Sequence, residues 1–93
     1  MINKLEMIKY GRTLTDRPYG NIVAQKIIQT EQFPIGLDFK GVISLGSSFG
    51  DEIISAILSK NQARISIFNA NEAIKSCLQK VSSDAAIKLD FHN

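Results

Sequence analysis

The sequence predicts an α/β fold, a mixed sheet of about four strands with helices packed mainly on one face. Three observations lead there. Apolar residues alternate between a spacing of two and a helical spacing along the chain, giving the order β-α-β-α-β-α-β. Two of the helical stretches are long enough to serve as crossovers, so part of the sheet is expected to be parallel with right-handed connections. The strands also carry polar residues at alternate positions (Asp38, Lys88, Asp90), which predicts one sheet face without helices. A sheet covered on both faces would read as continuous apolar runs.

In chain order, Leu5, Met7, Ile8 and Tyr10 predict a first strand over 5–10, and the Gly-, Thr- and Asp-containing stretch from Gly11 to Gly20 reads as a loop. Pro18 suits the first turn of a helix from about Pro18 to Glu31, with Val23, Ala24, Ile27 and Ile28 on its apolar side. Pro34 ends that element, and Ile35, Leu37 and Phe39 alternate with Gly36, Asp38 and Lys40 as a strand with one polar face. After a bend at Lys40-Gly41, Val42 to Leu45 carries apolar chain to Gly46, and Ser47 or Ser48 is placed to cap a second helix. That helix is the best specified element. Its buried stripe is Phe49, Ile53, Ile54, Ile57 and Leu58, it fades near Asn61, and Asp51 and Glu52 are expected in its first turn, near the positive end of the dipole.

Ala63 to Phe68 predicts a short strand. Asn69 or Asn71 caps a third helix, with Asn69 and Glu72 at capping-box spacing. Ala73, Ile74, Cys77, Leu78 and Val81 form its stripe, Ser82-Ser83-Asp84 is expected to stop it, and Ile87, Leu89 and Phe91 predict a last strand.

Ninety-three residues fit a single domain, residues 1–93. At 44% hydrophobic and 22% charged the chain is expected to fold rather than remain disordered. The net charge of +2 comes from scattered cations, so no basic stripe of the nucleic-acid-binding kind is predicted. One cysteine, Cys77, excludes an intrachain disulfide and a thiolate metal cluster. The opening residues lack a secretory signal and no stretch approaches a membrane span, so a cytoplasmic protein without membrane partners is expected.

The segment with unusual chemistry is Gly41-Val-Ile-Ser-Leu-Gly-Ser-Ser-Phe-Gly-Asp-Glu52, where two hydroxyls meet a helix start just after a buried strand. It resembles the STAS domain of anti-sigma-factor antagonists, and more closely the STAS-like domain family of uncharacterised function. The resemblance rests on Arg17-Pro18-Tyr19-Gly20, on Ile35-Gly-Leu-Asp-Phe39 and on Ser47-Ser48-Phe49-Gly50-Asp51-Glu52, and runs from about Met7 to Val81. It implies that Ser47 stands at the phospho-acceptor position, with Ser48 its neighbour, and that the partner is a histidine-kinase-like ATPase. Phe49 stands where the antagonists usually have glycine, and Gly46 where they often have aspartate.

The reading that follows is a non-catalytic regulatory interaction module, acting as a monomer or weak homodimer without cofactor or metal. It docks a protein partner through Phe49, Asp51, Glu52 and Arg17, with Ser47 or Ser48 as a phosphorylation switch. The plain alternatives are helix capping for the serines and dipole complementarity for the acids. A different class of function is a binder of a small anion or nucleotide at the same loop-to-helix junction, although the Gly-x-x-x-x-Gly-Lys pattern of a P-loop is absent. An enzyme ranks lowest, because a serine nucleophile here has no evident base. Asp38 with Asp51 and Glu52 is a weak metal or acid–base set, Cys77 is expected to pack, and His92 is expected to fray.

Overall fold

The computed structural model describes residues 2–92. Its elements are β1 (Asn3–Glu6), β2 (Thr13–Leu14), α1 (Arg17–Thr30), β3 (Ile35–Asp38), β4 (Ser44–Leu45), α2 (Ser47–Ser59), β5 (Arg64–Phe68), α3 (Glu72–Ala85) and β6 (Lys88–His92). Four strands make the main sheet in the order β1-β3-β5-β6, every pairing parallel. A parallel neighbour needs a crossover, and α1, α2 and α3 supply one for each step across the sheet.

Register explains why the helices lie on one side. Leu5, Leu37 and Ile67 share one row and Ile35 and Ile65 the same face, all nearly or fully buried. Successive residues point to opposite faces, so Lys4, Glu6, Arg64, Lys88 and His92 fall on the other face and remain exposed. The apolar face packs against Val23, Ala24 and Ile27 of α1, Phe49, Ile53, Ile54 and Ile57 of α2, and Ile74, Leu78 and Val81 of α3.

The structure corrects several expectations. Only Asn3–Glu6 is extended at the start, because Met7–Tyr10 forms a 3-10 turn that brings Met7 into the core. The predicted loop contains β2, which pairs in parallel with β4. This two-residue ladder was invisible to pattern reading because neither segment is long enough to show a period. It is extended by Ile43 N–H donating to the Arg12 carbonyl at 2.8 Å and Gly46 N–H to the Leu14 carbonyl at 2.9 Å. Both α1 and α2 therefore begin beside one another, just beyond one paired hub.

The polar side of β3 is also not open to water. Every residue of this strand is buried. Ile2 and the Phe68 ring close over Gly36, and Asp38 Oδ1 accepts from the Asn69 side chain at 2.9 Å and from Lys40 N–H at 3.0 Å. The strand is central, so its neighbours cover what alternation alone assigned to solvent.

Asn71 is the cap of α3, accepting from Ile74 N–H at 2.9 Å, while Asn69 takes a left-handed conformation (φ 58°) and serves Asp38 instead. The capping-box pairing of Asn69 with Glu72 therefore does not form. Ser82-Ser83-Asp84 continues the helix rather than ending it. Ser82 is buried with its hydroxyl donating to the Gln79 carbonyl, and the helix stops at the left-handed Ala86. Ala73 is exposed rather than part of the stripe. His92 belongs to β6, its ring stacked on Phe68 with centroids 4.9 Å apart.

Candidate functional site

The sequence of α2 fixes what its start can offer. Gly46 is the N-cap, so Ser47, Ser48 and Phe49 are the first three helical residues, whose N–H groups have no acceptor within a helix. Among the described residues no side chain caps them, and neither serine hydroxyl is engaged in capping. The capping expectation for Ser47 and Ser48 is thereby corrected, because both lie one or two positions too far along the helix. Ser47 is exposed and Ser48 half-buried.

Phe49 is fully buried, as its place on the apolar stripe of α2 predicts, which corrects its other expected place on a docking surface. It lies beneath that surface. Its ring packs against Tyr19, with centroids 5.9 Å apart. A Cβ on Gly20 would fall 3.1 Å from the Phe49 Cα, so glycine is what lets α1 approach α2 so closely here. The Tyr19 hydroxyl donates to the Tyr10 carbonyl at 2.6 Å and fastens the preceding turn to α1.

Asp51 and Glu52 are also displaced from expectation. They are the fifth and sixth residues of α2, in its second turn, and no acidic residue occupies the first. Proximity to the dipole therefore does not explain them. Arg17, at the start of α1, does: Nη1 donates to Glu52 Oε2 at 2.8 Å and Nη2 to Asp51 Oδ2 at 3.1 Å. Asn21, one turn on, donates to Glu52 Oε1 at 3.0 Å. The Asn21 amide, opposed by slight desolvation and joined by the Arg17 guanidinium, holds the Glu52 carboxyl below its usual range. Asp51 first and Glu52 second raise Arg17 above its own.

The structure therefore brings Arg17, Asp51 and Glu52 into one ion-paired cluster beside the half-buried Ser48. It does not bring Asp38 to them. Asp38 is held by Asn69 and the Lys40 turn, and among the described residues no three His, Cys, Asp or Glu side chains are grouped to hold a metal. Cys77 is half-buried against the core, where burial pushes its thiol up and away from the reactive thiolate. Two contributors escaped the sequence reading: Asn21, whose contact spans 31 residues, and the β2–β4 ladder that aligns the two helix starts.

The two stretches that define this cluster, Arg17 to Gly20 and Ser47 to Glu52, thus pack as one unit, in which Gly20 meets Phe49 and Arg17 meets both acids. The family model described as a STAS-like domain of unknown function matches residues 19–75, more than half of the chain. The chain belongs to this STAS-like family. Within the STAS-like domain the matched segment opens at Tyr19 in the first turn of α1, spans the rest of α1 and all of β3, β4, α2 and β5, and ends in the first turn of α3. It includes Gly20, Asn21 and all of Ser47 to Glu52, while Arg17 lies two residues before it. Nothing among the curated proteins or the solved structures matches the chain. No helix among the described residues is long and apolar enough to cross a membrane.

Proposed function

We propose that this STAS-like domain is a non-catalytic regulatory module that docks a protein partner through the beginning of α2. The reading is carried by one observation: Arg17 of α1 grips Asp51 and Glu52 beside two serine hydroxyls that are not engaged in capping. By resemblance to the anti-sigma-factor antagonists the partner is a histidine-kinase-like ATPase, and Ser47 or Ser48 is its phospho-acceptor. The docking surface comprises Ser47, Ser48, Asp51, Glu52 and Arg17, with Phe49 as its buried support.

Electrostatics fits a switch at this place. A phosphoryl group on either serine brings a charge of about −1.5 to −2 close to the acidic pair and to the guanidinium that bridges it. It would compete with Asp51 and Glu52 for Arg17 and, unpaired, would repel them. Either effect alters the charge pattern that a partner meets.

Affinity capture from the native host tests the proposal. The wild-type domain is expected to retain a specific partner, and replacing Asp51 and Glu52 with Lys is expected to release it without unfolding the domain. Intact-mass measurement of the domain from that host reads phosphorylation directly. Capture that is unaffected by the double replacement would reject this docking surface.

The N–H groups of Ser47 and Ser48, which no side chain among the described residues caps, favour a second reading, a small anionic ligand or nucleotide bound at the same junction. A saturable rise in melting temperature with a nucleotide, lost in the absence of its phosphates, would select it.

A further inference from the structure

On the sheet face that carries no helices, the carboxyl ends of β1 and β3 border a cavity of about 250 Å³ lined by Glu6, Ile8, Asp38 and Lys40. This lies somewhat below the roughly 300–1,000 Å³ of pockets for drug-sized molecules and suits a smaller one. Glu6 and Asp38 are in-register neighbours on adjacent strands, and both line this cavity.

Asp38 is 9% exposed, and both hydrogen bonds it receives end on Oδ1. Its Oδ2 has no donor among the described residues, and no lysine or arginine among them lies within ion-pair distance of either carboxylate. Lys4, the nearest basic residue on β1, holds its ammonium over the Phe68 ring, 4.3 Å from the centroid. Burial opposes the charge on Asp38, yet Asn69, Lys40 N–H and the fields of Lys4 and Lys40 keep its carboxyl below the usual range.

The walls are built to stay in place. Val42 N–H donates to the Phe39 carbonyl at 3.0 Å, closing a turn with Lys40 and Gly41 at its corners. Gly41 has φ 87°, a conformation suited to glycine, and the Ile8 side chain lies against it. That turn places Lys40 in the lining of the cavity.

We propose that this cavity binds a small α-amino acid as its zwitterion. The ligand ammonium sits between Asp38 Oδ2 and Glu6, its carboxylate meets the Lys40 ammonium, and its aliphatic side chain lies on Ile8. Two acceptors, one donor and one apolar wall match that class, whereas a bare cation leaves Lys40 unanswered and a bare anion faces two carboxylates. The site is separate from the docking surface on α2, and neither depends on the other.

Amide-resolved NMR titration of the full chain with L-valine, isobutylamine and isovalerate tests the proposal. Valine is expected to shift the amides of Glu6, Ile8, Asp38 and Lys40 saturably, with a dissociation constant of about 1 mM or tighter. Each analogue, lacking one of the two charges, is expected to bind at least about tenfold more weakly. Asp38→Asn keeps the Oδ1 acceptor for Asn69 and Lys40 and should lose at least about tenfold in affinity. Glu6→Gln, at an exposed position, provides a second variant with the same expectation. No saturable shift at these residues, equal binding of isobutylamine, or unchanged affinity in both variants would overturn the proposal.

Discussion

The Arg17 guanidinium and the Glu52 carboxylate meet at 2.8 Å although 35 residues separate them, and the same guanidinium reaches Asp51 at 3.1 Å. One exposed side chain thus ties the first turn of α1 to the second turn of α2. All three groups are accessible to water, so the arrangement governs the charge presented at this surface more than the stability of the fold.

Replacing Arg17 with Gln is therefore expected to lower the melting temperature only slightly at low ionic strength. The loss should vanish in about 1 M salt, where the screening length falls to about 3 Å. A double-mutant cycle with Glu52→Gln, read by thermal melts at both ionic strengths, checks the coupling.

Gly20 and Gly50 predict opposite outcomes for the same substitution. Gly20→Ala places a methyl 3.1 Å from the Phe49 Cα, a backbone atom that cannot step aside, and is expected to cost about 1–3 kcal/mol. In Gly50→Ala the methyl meets Val81 at an ordinary 3.5 Å, and the gain in helix propensity is expected to stabilise by up to about 1 kcal/mol. Urea denaturation of the two variants should separate them by sign.

Gln62 acts as an extra rung of the sheet. Its Oε1 accepts from Ile35 N–H at 2.8 Å, and its Nε2 donates to the carbonyls of Ile35 and Arg64 at 2.7 and 2.9 Å. Gln62→Leu leaves these backbone groups without those partners and is expected to cost about 2 kcal/mol, measured by equilibrium denaturation. Amide exchange at Ile35 should accelerate in the same variant.

The acid limb of stability should report on Asp38. Desolvation raises its carboxyl, but the Asn69 amide, Lys40 N–H and the nearby lysines outweigh it, and the folded-state value lies below the unfolded one. The folded state therefore binds this proton less readily. The resulting stabilisation is complete above the ordinary carboxylate range and disappears as pH falls through the folded value. Denaturation free energies measured across that range should fall less steeply with acid in Asp38→Asn than in the wild type.

Much of the fold could be read from one-dimensional pattern, because Ile53, Ile54 and Ile57 or Ile65 and Ile67 repeat at the spacing of the face they bury. What escaped was set by neighbours rather than by period. Asp38 looks solvent-facing by alternation, yet as the end of a central strand it is covered by Asn69 and the Lys40 turn. The composition of Ser82-Ser83-Asp84 suggests a stop, but burial of Ser82 against the core carries the helix onward. At the candidate site the sequence picks out the serines and the acids. It assigns the acids to the helix dipole because nothing in their spacing announces Arg17 across the seam. Phe49 reads both as part of the apolar stripe and as a docking residue, and the structure keeps the first, because Gly20 opens a berth for it between helices.

Because β2 and β4 are joined by main-chain hydrogen bonds just ahead of both helices, the starts of α1 and α2 cannot separate without breaking that ladder. Two positive helix ends are thereby clamped shoulder to shoulder, and their fields add over a common patch. A molecule arriving there would find the relief already set, and the ordering cost of assembling it would fall on the folding of the domain instead of on the encounter.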